Sequence, residues 1–231
     1  MQCEKELGFR PLLHGQIDDI FKGWEAIGAG MVAKFSQYFA PPDESVKTED
    51  KNIDNGLTVR IYTPPGYGGG MPVFVYIHAG GWAMGDLNMD DAPCRVISKG
   101  AGVIVVSVDY RLAPVHKYPA GLDDCVTAYK WALDNAKALN CTPNQAVIGG
   151  ASAGGGSTFA LALRLIDDGL GSTTKGLVSQ IPVTVHPDAV PSELKSRYTS
   201  YKEHAEHTVN TESAMRGFFG MKFLPLVAFN Y

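Results

Sequence analysis

One stretch constrains this chain more than any other: Ala146-Val147-Ile148-Gly149-Gly150-Ala151-Ser152-Ala153-Gly154-Gly155-Gly156, followed by a helical pattern from Ser157 to Asp168. A short apolar strand that turns sharply into a helix holds its turn residue in a strained backbone, usually with positive φ. The residues two places to either side must be small, because strand and helix approach closely there, and Gly150 and Gly154 meet that need. Such a turn lifts the Ser152 hydroxyl above the sheet, and the helix N-terminus behind it favours negative charge nearby. Ala153 then offers its backbone N–H to an oxyanion.

Glycine-rich turns also cradle phosphates, and the sequence argues against that use here. A P-loop needs Lys-Ser/Thr after its last glycine, whereas Gly155 and Gly156 follow Gly154 with no lysine. A dinucleotide fingerprint has an acidic residue about 20 positions on, at the end of the next strand. Asp167 and Asp168 fall inside the helical stretch instead. No nucleotide or other cofactor is expected.

The rest of the chain supplies the strands and helices that such a turn requires. Val73–Ile77 and Val103–Val108 are apolar on both faces, as is Ala146–Ile148, and Val178–Val185 reads the same way. Thr58–Tyr62 alternates as a half-buried strand does, and the charged residues 43–51 read as an exposed strand or loop. Helical stretches at Asp90–Lys99, Gly121–Leu139 and Ser157–Asp168 lie between them. This alternation predicts an α/β fold, a mostly parallel central sheet with helices on both faces. There is no repeat and no low-complexity linker, so residues 1–231 read as a single domain.

The two ends differ in character. Residues 10–40 carry Ile17, Ile20, Phe21, Trp24, Ile27, Met31, Phe35 and Phe39 at helical spacing, with an interruption expected near Gly28 and Gly30 and a stop at Pro41-Pro42. Ser192–His207 is polar with helical propensity, and Ala214–Phe229 is rich in Phe, Leu and Met.

Bulk properties exclude several functions. A net charge of −4 gives no electrostatic reason to bind nucleic acid or an anionic membrane. No run approaches the ~18 apolar residues of a membrane span. The N-terminus Met1–Glu6 has no apolar core of a secretory signal, so a soluble cytoplasmic protein is the default expectation. Cys3, Cys94, Cys125 and Cys141 form no CxxC pair and have no histidine at ligand spacing, which reads as free thiols and no metal site.

Two further elements follow buried strands. His78-Ala79-Gly80-Gly81-Trp82 comes directly after Val73–Ile77, and its adjacent glycines leave backbone N–H groups uncovered. Those of Gly80 and Gly81 can converge on an oxyanion with that of Ala153. His78 reads as a structural residue that holds the turn, and Trp82 either lines a substrate pocket or packs. Asp109-Tyr110-Arg111-Leu112-Ala113-Pro114, with Asp123-Asp124 beyond, reads as an ion-pair and turn network, since charge at the end of a buried strand is costly unless paired.

Together these motifs, in this order and spacing, resemble the hormone-sensitive-lipase-like family of α/β-hydrolases, over residues 55–185 most closely and with a flavour of its fungal esterases. The resemblance implies a serine carboxylic-ester hydrolase acting on small or medium acyl esters through an acyl-enzyme. Ser152 is then the nucleophile, Gly80, Gly81 and Ala153 the oxyanion donors, and Trp82 a substrate-binding residue. It also implies a helical cap, here from residues near 10–40 and 190–225. Ala79 and Ala151 depart from the family pattern, but both are small and neither supplies an oxyanion donor.

The larger departure is the rest of the triad. In this fold the acid and the histidine follow the serine in chain order. His186, His204 and His207 come too early for that role, so both partners and the last strands are expected beyond Tyr231, in a chain that is C-terminally incomplete. The sixth strand is then a bare apolar edge, which leaves a homo-oligomer open. The alternative reading is a non-hydrolytic small-molecule receptor or lyase-like member of the same fold.

Overall fold

The computed structural model describes residues 2–15, 17–206 and 209–222. In chain order its helices and strands are α1 (Gln2–Leu7), β1 (Leu12–Leu13), α2 (Ile17–Phe35), β2 (Lys47–Asn52), β3 (Thr58–Thr63), β4 (Val73–Ile77), α3 (Asp91–Ala101), β5 (Val105–Val108), α4 (Ala120–Asp134), β6 (Ala146–Ala151), α5 (Ala153–Asp167), β7 (Thr174–Gln180), α6 (Ser200–Glu203), β8 (Val209–Asn210) and α7 (Glu212–Lys222). They form two compact units, one of residues 42–184 and one built from both chain ends, residues 1–41 and 185–231.

The central unit is a six-stranded sheet in the order β2-β3-β5-β4-β6-β7. β5, β4, β6 and β7 run parallel, and β2 and β3 are antiparallel at one edge. β4 shows why the buried runs lack alternation. Val73, Val75 and Ile77 join a core with Cys125, Tyr129 and Trp131 of α4 and Leu161 and Leu165 of α5. Phe74 and Tyr76 point into a second core with Cys94 of α3. Both faces are therefore covered by helices, and a central strand must be apolar throughout. Each fully buried aliphatic side chain contributes about 1.5–3 kcal/mol to holding the layers together.

The edges are read differently. β2 is exposed at every position, and its Asp50 accepts from Arg60 of β3 at 2.6 Å. The strand expected at 178–185 is instead 174–180, and at its end Ile181 takes φ 41. Leu177, Val178 and Ile181 are exposed on it. The four cysteines are free thiols, Cys3 exposed and the other three buried.

In the unit of the chain ends, β1 and β8 pair in parallel, with Leu12 opposite Val209. Ile20 of α2 is fully buried, and a Cβ on Gly217 of α7 would come 2.8 Å from its Cδ1, so these two helices approach closely. Phe218 and Phe219 are buried, while Trp24 is exposed on α2. The expected break near Gly28 and Gly30 does not occur: α2 runs unbroken through both. A Cβ on Gly30 would lie 3.0 Å from Leu7, so that glycine serves close packing of α1 rather than a turn. The expected helix over 192–207 is a 3₁₀ turn at Ser192–Arg197 and the short α6. Phe223, Leu224, Leu226, Val227 and Phe229 lie outside the described residues. No helix among the described residues is long and apolar enough to cross a membrane.

Helix α5 gives a direct check of this layering, since Leu161 is fully buried and Leu163 is 50 % exposed. Leu161→Ala is expected to cost about 2–5 kcal/mol in urea unfolding. Leu163→Ala should cost less than about 0.5 kcal/mol.

Candidate active site

β6 ends at Ala151 and α5 begins at Ala153, so Ser152 alone makes the turn, with φ 52 and ψ −115. A serine at positive φ costs of order 1–3 kcal/mol and persists only where its surroundings fix it. Here they do. The Ser152 N–H donates to the Gln180 carbonyl at 2.9 Å, and the Ser152 carbonyl accepts from Gly156 at 3.0 Å and Val183 at 3.1 Å. The Ser179 hydroxyl donates to the Gly155 carbonyl at 2.8 Å. The backbone of the turn is thus tied to the end of β7 and to the first turn of α5, while the serine side chain is only half-buried.

The flanking glycines are required by packing. A Cβ on Gly154 would sit far inside van der Waals distance of the Ile77 carbonyl oxygen, and one on Gly150 would meet Gly154 itself at 2.7 Å. Ile77, the last residue of β4, is in register with Gly150. The first turn of α5 therefore lies against the end of β4, which brings residues 78–82 beside Ser152. The Ala153 N–H is one of the unsatisfied donors that open a helix, where the partial positive charge of the helix dipole is concentrated.

The loop after β4 is a tight left-handed turn, with φ 113 at Gly80, 63 at Gly81 and 63 at Trp82. Ala83 and Met84 donate to the Gly80 carbonyl at 3.1 and 2.9 Å, and among the described residues the N–H groups of Gly80 and Gly81 take no part in closing the turn. The Trp82 indole is buried, and its Nε1–H donates to Ser157 Oγ at 3.0 Å, which pins the ring to α5. His78 is completely buried and stacks on Tyr110, ring centroids 4.2 Å apart at 17°. Its Nδ1 lies 2.6 Å from the Ala79 carbonyl, so the neutral ring with its proton on Nδ1 donates there. Burial pushes the His78 pKa below the ordinary histidine value. Its Nε2 has no hydrogen-bond partner among the described residues.

Further bonds from other elements hold this loop. Tyr110 donates its hydroxyl proton to the His78 carbonyl at 3.0 Å, and the Ala113 N–H donates to the Trp82 carbonyl at 2.9 Å. Asp90 Oδ2, just before α3, accepts from the Ala79 N–H at 2.9 Å and from the Tyr76 hydroxyl at 3.1 Å. In the sequence Asp90 carries no mark beyond its place at the start of a helical stretch. In the segment 109–114 the ion pair is between Arg111 and Asp124 of α4, with the Arg111 N–H and guanidinium both donating to that carboxylate. Asp109 is exposed, and its N–H donates to the Thr58 carbonyl. The segment's contribution to the loop comes from Tyr110 and Ala113.

Of the later histidines, His186 accepts from the Asp188 N–H and lies edge-on to Phe219 at 4.9 Å, and Asp188 is held by Arg216 at 3.0 Å. These residues and His204 belong to the unit of the chain ends. His207 lies outside the described residues.

Comparison with known proteins agrees with this fold. The sequence model of a family described as alpha/beta hydrolase fold matches residues 74–228. The chain belongs to that family. Among hydrolase-fold relatives it is 45 % identical over 220 residues to the versiconal hemiacetal acetate esterase of Aspergillus parasiticus, covering 94 % of this chain and 67 % of that one. The hyperthermophilic esterase of Pyrobaculum calidifontis superposes with a TM-score of 0.67 at 32 % identity, over 77 % of this chain and 56 % of that structure. Vibralactone cyclase superposes with a TM-score of 0.75, also at 32 % identity, over 87 % and 61 %. The chain thus spans about two thirds of that relative and less of both hydrolase-fold structures.

The burial of neutral His78 has a consequence for stability. Its folded pKa is depressed, so the unfolded chain binds the proton more readily. Stability is therefore full above the unfolded value of about 6.5 and falls as pH drops below it, by at most about 1.4 kcal/mol per pH unit. Urea unfolding between about pH 7 and pH 5 should show this slope, and His78→Leu should flatten it.

Proposed function

We propose that this chain carries the nucleophile and the oxyanion-binding elements of a serine carboxylic-ester hydrolase that works through an acyl-enzyme. The observation that carries the reading is Ser152 at positive φ between β6 and α5, with a glycine turn packed beside it. In this reading Ser152 Oγ bonds to the acyl carbon and the alkoxide leaves, taking up the proton that the serine gives up. The N–H groups of Gly80, Gly81 and Ala153 receive the negative charge that gathers on the acyl oxygen in the tetrahedral intermediate. Losing one such donor typically costs ~10²–10³ in rate. The esterase relatives support hydrolysis. The Aspergillus relative is named for an acetate ester, which favours a small acyl group here too, with Trp82 as a wall of the acyl site.

The base is the incomplete part. The unit that holds Ser152 contains two histidines, His78 and His116. His78 is buried with Nδ1 committed to its own loop, and His116 is exposed. Neither is assigned the role, and a serine without its base is a weak nucleophile. A second reading, in which the acyl group passes to a nucleophile other than water, is favoured only by the likeness to vibralactone cyclase.

This chain is expected to cleave p-nitrophenyl acetate slowly, below the ~1 s⁻¹ at which ordinary enzymes begin. Ser152→Ala should reduce the rate to the buffer background. An undiminished rate in that variant would overturn the assignment of the nucleophile, and turnover at ordinary esterase rates would overturn the account of the base. Free acetate as the product separates hydrolysis from transfer.

A further inference from the structure

We propose that Asp90 and Tyr110 are positioning residues that aim the Gly80 and Gly81 N–H groups at the acyl oxygen, one from each side of the loop. The inference rests on the hydrolase reading above and extends it to two residues that never touch the substrate. A peptide N–H points where its peptide plane points, and glycines at positive φ have no side chain to restrict that plane. Gly80 and Gly81 are two such residues in succession. Their direction must be imposed from the flanks.

Both flanks are fixed, and by different elements. On the N-terminal side the peptide group that joins His78 to Ala79 is held by two outside side chains. The His78 carbonyl accepts from Tyr110, and the Ala79 N–H donates to Asp90, so the plane joining His78 to Ala79 is held at both ends. On the C-terminal side the Trp82 carbonyl accepts from Ala113 and the indole is tied to Ser157. Between these anchors lie the N–H groups of Gly80 and Gly81, and neither makes a bond that closes the turn among the described residues.

The chemistry of the two side chains suits the task. Asp90 uses a single oxygen, Oδ2, for both the Ala79 N–H and the Tyr76 hydroxyl, which ties the loop to the end of strand β4 as well. An amide oxygen can accept the same two bonds. The Tyr110 ring is buried and stacked on His78, and burial raises its phenol pKa well above the usual value, so it remains a donor throughout the working pH range. Phenylalanine there keeps the ring and the stack and removes only the hydrogen bond.

The test is single-turnover acylation by p-nitrophenyl acetate with protein in excess, read as nitrophenolate release. The wild-type chain, Asp90→Ala, Asp90→Asn and Tyr110→Phe are compared for the limiting rate constant and the half-saturating concentration. A donor that is misaimed weakens the transition state and not the bound ester, so the loss should appear in the limiting rate alone. Asp90→Ala is expected to lower that rate by at least about tenfold and Tyr110→Phe by about threefold, with half-saturation within about twofold of wild type, against the ~10²–10³ that loss of a whole donor costs. Asp90→Asn should restore the rate to within about threefold. The proposal is overturned if Tyr110→Phe, which keeps the packing, acylates at the wild-type rate. It is also overturned if Asp90→Asn falls as far as Asp90→Ala, or if the loss lies in half-saturation. Should Asp90→Ala fail to fold, the Tyr110→Phe result decides. Wild-type acylation that does not depend on Ser152 is a separate result, and it removes the hydrolase reading itself.

Discussion

The contact on which this structure turns is made by atoms that are absent. Gly150 and Gly154 bring the first turn of α5 against the Ile77 and His78 carbonyls, closer than any side chain would allow. That approach forces the single residue between strand and helix to φ 52. The strain is local, but its support is not. It comes from Gln180 and Val183 beyond β6 and from the parallel register that sets Ile77 beside Gly150. A parallel sheet is needed to place two strand ends side by side at the same edge, and helices on both faces are needed to bury such a sheet.

From that contact the site follows in layers. Ser152 stands at the helix N-terminus, where unsatisfied N–H groups and the dipole favour an anion. The glycine turn after β4 lies beside Ser152, and Asp90, Tyr110 and Ala113 hold the backbone on either side of that turn. Neutral His78 stacked on Tyr110 fills the space beneath the turn without placing a charge there. Backbone donors on rigid elements suit this work because they need no reorganisation as charge develops.

Much of this was legible in the sequence, and the limits have physical causes. β4 lies where its apolar run predicts, because a strand buried on both faces has no competing pattern. β6 extends to Ala151, past the expected Ile148, because Gly149 and Gly150 read as a turn yet pair with Val178 and Ser179. β7 begins at Thr174 rather than Val178 because an edge strand tolerates Thr174-Lys175-Gly176, which carry no apolar signal. Gly30 reads as a helix breaker when only its propensity is known, and its packing against Leu7 is a tertiary fact. The sharp turns at Ser152 and at Gly80-Gly81 could be read because backbone conformation leaves a mark in glycine spacing. Asp90 could not, because its bond to the Ala79 N–H spans an irregular turn and aspartate just before a helix is ordinary. The role of Tyr110 depends on β4 and β5 being neighbours, which no local pattern states.

The central claim is that Ser152, raised by its strained turn, forms a covalent bond with an acyl group. Trapping that intermediate tests it most directly. The chain is mixed with p-nitrophenyl acetate, quenched in acid and digested, and its peptides are weighed. The account predicts one added acetyl group, on the peptide that contains Ser152, building up because p-nitrophenolate leaves without protonation while attack by water on the acyl group needs the base. Acetyl found on a lysine, on Cys3 or on another serine while the Ser152 peptide stays unmodified would contradict it.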